Sequence, residues 1–138
     1  MALEQTLILA KPDAIRRSLA GEIVARFEQR GFRLRAARLL QVDRALAEEH
    51  YAEHQAKPFF GELVEFITSG PTLAFVLEGE GVVATARKTI GATNPADSEP
   101  GSIRGDFAAA MPDNLVHGSD SPESAAREIA LWFPDGLV

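Results

Sequence analysis

A pair of short apolar runs constrains this chain most: QTLILAK at residues 5–11 and TLAFVLEG at residues 72–79. Each holds only a few consecutive apolar side chains before a charge or a turn residue intervenes. That is far too short for a membrane span, and neither run shows the 3.6-residue stripe of an amphipathic helix. They read as buried strands. A chain with two such strands must build a sheet and cover its apolar side chains. Pro12 ends the first run abruptly and leaves Lys11 at the strand's C-terminal edge.

The covering elements lie between these runs and beyond them. SLAGEIVARFEQRG puts Ala20, Ile23, Val24 and Phe27 at helical spacing, with Ser18 as the expected N-cap and Gly31 as the stop. FRLRAARLLQV is a second strand, whose Arg33, Arg35 and Arg38 mark a solvated or partner-facing side. Asp43 can cap RALAEEHY, and KPFFGELVEFITSG carries Phe60, Leu63, Val64 and Ile67 ahead of Gly70-Pro71. GVVATARKTIG is a short helix bounded by glycines. From Gly91 to Asp113 no period is sustained; so long a loop in a compact domain is functional or disordered, and its return to a core strand predicts order. NLVH is the last strand. SPESAAREIALWF closes the chain as a helix, with Ser121 at the N-cap, Pro122 at the first position and Ile129 toward the core. The order predicts an α/β (α+β) sandwich of the ferredoxin-like βαββαβ kind. Its four-stranded antiparallel sheet is expected to have helices over one face and a long active-site loop, in a single domain spanning residues 1–138.

Composition narrows the classes of function. Lys plus Arg 14 against Asp plus Glu 20 gives a net charge of −6, which disfavours broad attraction to nucleic acid or an anionic membrane. With one Tyr and one Trp, the chain is also poor in aromatic stacking groups for RNA. The absence of cysteine excludes thiolate chemistry and fits a reducing cytoplasm. MALEQTLILAKPD is neither a signal peptide nor a membrane span.

Placed on this outline, several unusual polar residues fall at edges and loops, where sites are built. Lys11 ends the first strand, and Tyr51 and His54 close a helix. Arg87 lies on the short helix, Thr93 and Arg104 in the long loop, and Asn114 and His117 bracket the last strand. Lys11, Arg87 and Arg104 on an acidic protein would make a local anion trap. An imidazole such as His117 at a strand-to-helix corner can be a nucleophile, a base, a metal ligand or a structural side chain. Glu128, two turns into the closing helix, could hold one ring nitrogen and free the other.

The combination of KPDAIRR, EHYAEHQAKPFF, TSGP, ATNPAD, GSIRGDF and HGSDSPESAAREIALWF, in this order, resembles the nucleoside diphosphate kinase family essentially end to end. The resemblance implies ping-pong transfer of the γ-phosphate from a nucleoside triphosphate such as ATP to a nucleoside diphosphate, through a phosphohistidine and with Mg2+. It implies that His117 is the phosphorylated nucleophile, attacking through Nδ1, and that Glu128, helped by Ser119, holds its ring. Lys11 and Asn114 would contact the ribose hydroxyls and nearby phosphate, while Phe59 stacks on the base and Met111 covers its other side. His54, Arg87, Thr93 and Arg104 would bind phosphates, with Tyr51 close to the reacting one. Asp120 would help place the hydrated Mg2+. The family also implies a homo-oligomer, with a hexamer favoured over a tetramer, and the short segment after the closing helix resembles the bacterial type. No G-x-x-x-x-G-K-[ST] occurs, so a P-loop is excluded.

Phe59 and Phe60 are adjacent and cannot share a helix face; Phe60 belongs with Leu63 in the core and Phe59 is left for the ligand. His50 is assigned to structure. Pro112 and Asp113 stand where the family often carries a glycine-basic pair, so Asp113 brings negative charge near the phosphate site. The competing reading is a nucleotide-binding regulatory module of the same fold that does not turn over. Retention of His117, Lys11 and Arg104 speaks against it.

Overall fold

The computed structural model describes residues 3–138. Strand β1 (Leu3–Ala10) runs down the middle of a four-stranded antiparallel sheet ordered β2-β3-β1-β4, where β2 is Arg33–Gln41, β3 is Pro71–Glu80 and β4 is Val116–Gly118. The register pairs Leu7 with Val76 and Leu9 with both Ala74 and His117. This is the expected ferredoxin-like arrangement, and its two apolar runs, β1 and β3, are neighbours at the centre.

Because side chains alternate along a strand, an uninterrupted apolar run needs cover on both faces. Both faces are covered, which corrects the one-face expectation. Ile8, Ala10, Phe75 and Leu77 point to one cluster, completed by Ile23 and Phe27 of α2 (Ala20–Gln29) and by Val83, Ala86 and Ile90 of α5 (Val82–Ile90). Leu7, Leu9, Ala74 and Val76 point the other way. They meet Ala47 of α3 (Arg44–His50), Val64 and Ile67 of α4 (Phe60–Ile67), and Trp132 of α7 (Pro122–Trp132).

Local chemistry explains most boundaries. The Asp43 carboxylate accepts from the Leu46 amide at 2.8 Å, and Ser121 Oγ from the Ser124 amide at 3.1 Å, so α3 and α7 start at side-chain caps. Helix α2 stops at Gly31, whose φ of +89° lets the Gly31 and Phe32 amides turn back to the carbonyls of Glu28 and Phe27. Ser18 does not cap it: this residue has φ +58° and α2 begins after Leu19, with no side-chain cap. A one-turn helix, α1 (Pro12–Arg16), instead follows β1 directly, because a proline that ends a strand is also well suited to the first helical position.

Arg35 and Arg38 are not idle on a solvated side. Arg35 sits at a bulge in β2 and pairs with Glu78 at 2.7 Å, while Arg38 donates to the Trp132 carbonyl at the end of α7 at 3.1 Å. The long segment from Gly91 to Asp113 is ordered, as expected, by a 3-10 turn at Pro95–Asp97 and by α6 (Ile103–Phe107). Arg26 of α2 fastens it, pairing with Asp106 at 2.7 Å and donating to the Gly101 carbonyl at 3.0 Å. A Cβ at Gly105 would lie 1.9 Å from the Glu99 carbonyl oxygen, so only glycine allows this fold of the loop.

Candidate active site

The last strand is shorter than NLVH suggests. Leu115 adopts φ +70°, which breaks the extended run, so pairing starts at Val116 and His117 sits mid-strand opposite Leu9 rather than at its end. The Leu115 amide donates to the buried Asp13 carboxylate at 2.9 Å and its carbonyl accepts from the Lys11 amide at 2.9 Å. The exit of β1 thereby fixes the entry to β4. Asp13 is a participant that sequence reading missed; the acid after Lys11-Pro12 was the available signal.

Around His117 a hydrogen-bonded chain runs inward. His117 Nε2 lies 2.9 Å from Glu128 Oε1. The same oxygen accepts from Ser119 Oγ at 2.9 Å, and Ser119 Oγ in turn accepts from the Leu7 amide of β1 at 3.2 Å. A carboxylate can only accept, so Nε2 carries the proton and Nδ1 is left with its lone pair. Burial pushes the Glu128 carboxyl up, but the hydrogen bond and charge of His117 and the Ser119 hydroxyl outweigh it and hold the group below its ordinary value.

A cleft of about 1120 Å³ opens over this chain, and every residue that the family resemblance assigns to the site lines it except Ser119, which is wholly buried beneath; Pro112 also lines it, whereas Asp113 does not. Lys11 Nζ donates to Asn114 Oδ1, and Asn114 Nδ2 donates to the Thr93 carbonyl at 3.0 Å. Burial lowers the Lys11 pKa to about 8 despite the nearby Asp13 charge, with Arg104 lowering it further. Arg104 is almost fully enclosed: Nε donates to the Asn114 carbonyl, Nη1 to those of Gly91 and Ala92, and Nη2 to that of Val116. Four of the five N–H groups of a guanidinium are thus spent on backbone, and one is left over among the described residues. Burial first, then the Arg87 charge, brings its pKa down to about 10.

Arg87 donates to the Gly118 carbonyl at 3.2 Å and pairs with Asp120 at 3.0 Å. Burial, then the Glu128 charge, holds the Tyr51 phenol well above its usual range. His54 Nδ1 is buried and has no hydrogen-bond partner among the described residues. Phe59 and Met111 are large apolar side chains left 43% and 48% exposed, and both line the cleft; Phe60 packs into the core as expected. The cleft therefore has a cationic end, built from Lys11, Arg87 and Arg104, and an apolar end.

Two more residues escaped the sequence reading. Trp132 Nε1 donates to His50 Nδ1 at 3.0 Å, and Arg127 donates to the carbonyls of Glu49 and His50 at 3.2 and 3.3 Å. The spacing of Glu128 and Trp132, four apart and so on one face of α7, was the signal.

The family model described as nucleoside diphosphate kinase matches residues 4–138. The chain is 61% identical to nucleoside diphosphate kinase 1 of Spinacia oleracea, over 99% of this chain and 92% of that one. It is also 61% identical to the nucleoside diphosphate kinase of Halalkalibacterium halodurans, over 95% and 89%. A solved structure of a nucleoside diphosphate kinase family protein from Babesia bovis superposes with a TM-score of 0.94 at 45% identity, covering 98% of this chain and 92% of its own. A strand-borne histidine held by a buried acid, facing a cleft with one cationic and one apolar end, thus stands in a chain similar to nucleoside diphosphate kinases of plant and bacterial origin. The chain belongs to the nucleoside diphosphate kinase family of phosphotransferases.

Proposed function

We propose that this chain moves the terminal phosphate of a nucleoside triphosphate to a nucleoside diphosphate in two half-reactions through His117. In the first, the Nδ1 lone pair attacks the γ-phosphorus, an N–P bond forms, and the P–O bond to the β-phosphate breaks with its electrons leaving on the diphosphate. In the second, a β-phosphate oxygen of the acceptor attacks the phosphohistidine, and the N–P electrons return to Nδ1. The observation that carries this reading is the 2.9 Å contact of His117 Nε2 with Glu128 Oε1, which dedicates one nitrogen to orientation and the other to chemistry.

Phosphoryl transfer asks a protein mainly for in-line placement and charge neutralisation. Arg87, the remaining N–H of Arg104, Thr93 and the partnerless His54 Nδ1 are assigned to the phosphates, with Tyr51 beside the reacting one. Lys11 and Asn114, already joined to each other, are assigned to the ribose hydroxyls and the adjoining phosphate, and Phe59 with Met111 to the two faces of the base. Stacking and hydroxyl contacts ignore the distinctive edge of a base, which favours broad nucleotide tolerance.

For Mg2+, the donor set fits. Mg2+ is held by one or two carboxylates plus substrate phosphates and keeps several waters. Asp120 offers one exposed carboxylate at the rim of the cleft, held by Arg87. The ion, when bound with nucleotide, supplies neutralisation of phosphate charge. We assign the chain to a homo-oligomer, with a hexamer favoured over a tetramer. In support, β2 is an edge strand that leaves Leu34 and Leu39 exposed. A cytoplasmic location is favoured by the cysteine-free composition; among the described residues no helix is long and apolar enough to cross a membrane.

Incubation with γ-labelled ATP and Mg2+ should leave acid-labile, alkali-stable phosphate on the protein. GDP should discharge it, and His117→Ala should never acquire it. A folded protein that binds ATP without taking the label refutes the transfer reading and leaves the non-catalytic module.

A further inference from the structure

The cleft holds a third imidazole, besides those of His117 and His54, for which the transfer scheme has no use. His50, the last residue of α3, is 4% exposed, and its ring packs edge to face against that of His117, with centroids 4.7 Å apart and planes at 78°. It makes the same kind of contact with Tyr51 at 4.8 Å and with Trp132 at 5.4 Å. Helix α7 holds His50 twice, through the Trp132 indole on its ring and through Arg127 on its carbonyl. Glu128, four residues before Trp132, holds His117 from the same helix face. One helix face therefore fixes two touching imidazoles.

The state of His50 follows from its partner. An indole N–H only donates, so Nδ1 of His50 must accept and the ring proton sits on Nε2. Burial, with the neighbouring His117 charge second, lowers its pKa to about 3, so the ring stays neutral at neutral pH. That tautomer also removes His50 from metal chemistry. Although His50, His117 and Glu128 bring donor atoms within 4.8 Å of one another, the Nδ1 lone pair is committed to Trp132 and Nε2 is protonated. What remains is shape. A rigid, uncharged ring lies against the imidazole that must keep Nδ1 aimed at phosphorus. The Glu128 hydrogen bond fixes one ring nitrogen of His117 but leaves rotation about that contact open.

We propose that His50 is a positioning residue for the reaction at His117: its ring, held by Trp132, confines the His117 imidazole to the orientation in which Nδ1 faces the cleft. The inference rests on His117 being the nucleophile.

Two substitutions separate this role from support of the fold. His50→Ala removes the ring and both its nitrogens; His50→Phe keeps a ring but removes the Nδ1 acceptor and the Nε2–H. Both leave the Trp132 N–H unsatisfied, so both should melt earlier than the parent. Only His50→Ala should label slowly, with a single-turnover rate of His117 phosphorylation at least tenfold down, full final stoichiometry and a nucleotide KM within twofold. His50→Phe should recover most of that rate. Rates that fall together with stability in both variants, or a His50→Ala that labels at the parental rate, overturn the proposal. Should neither variant fold, nitrogen-15 spectra of the unsubstituted protein at pH 7 decide the matter: His50 must appear as a neutral Nε2–H ring, and an Nδ1–H or doubly protonated ring overturns the proposal. Failure of the parent protein to take any label would refute the transfer reading instead, a separate outcome.

Discussion

Ser119→Ala tests whether the chain from β1 to His117 bears on stability as well as orientation. The hydroxyl is fully buried, donates to Glu128 Oε1 at 2.9 Å and accepts from the Leu7 amide at 3.2 Å. A hydrogen bond to a charged group is worth about 1.5–3 kcal/mol, and an orphaned buried N–H costs about 1–3 kcal/mol. Allowing for relaxation of Leu7 within the sheet, the loss should be about 2–4 kcal/mol. At roughly 3–4 °C per kcal/mol for a domain of this size, the melting temperature should fall about 6–16 °C. The loss should also depend on pH, in a definite direction. Glu128 is held below its reference value of 4.5 in the folded state, partly by this hydroxyl. Its stabilisation is present above 4.5 and is lost as pH falls through the lower folded value. The gap between parent and variant, read by circular dichroism melts from pH 7 to pH 3, should therefore narrow on acidification. A melting temperature within 2 °C of the parent at pH 7, or a gap that widens in acid, would refute the reasoning.

Three further outcomes are expected. Arg104→Ala should destabilise the protein by at least about 3 kcal/mol by orphaning the carbonyls of Gly91, Ala92, Asn114 and Val116. Protease should then cut within residues 91–113, and Arg104→Lys, lacking the planar fork, should fail to restore resistance. Phe59→Ala should raise nucleotide KM by roughly tenfold, since stacking on an aromatic is worth about 1–3 kcal/mol per base, while stability measured in urea stays within about 0.5 kcal/mol. Because burial brings Lys11 to about 8, its charge disappears as pH rises through that value; nucleotide affinity by calorimetry should weaken between pH 7 and pH 9, and Lys11→Arg should flatten that dependence.

The sequence made legible whatever depends on near neighbours. Asp43 and Ser121 were readable as caps because a cap acts within three residues, and Phe59 was separable from Phe60 because adjacent residues diverge on a helix. Ser18 misled for the opposite reason. Serine before an apolar stripe suits a cap, but α1 already occupies the chain up to Arg16 and drives Ser18 into the turn between two helices. The cationic end of the cleft was foreseen as a set of residues, but not the fact that Arg104 spends most of its donors on backbone. That depends on how the long loop folds back. His50 was illegible as a partner of His117 because its meaning comes from Trp132, 82 residues away. The cover on the second sheet face was implied by the unbroken apolar runs themselves.

The ladder between β1 and β4 has a temporal consequence. Ser119 and Leu7 are hydrogen-bonded across 112 residues of chain, and the helix that holds both imidazoles follows later still. As the polypeptide emerges from the ribosome, the walls bearing Tyr51, Phe59 and Arg87 are synthesised first, while the β1 edge that receives β4 stays open. His117 arrives with the strand that closes this edge. Seating of His117 against Leu9 and completion of the sheet are then a single event. Such long-range closure is slow compared with local folding.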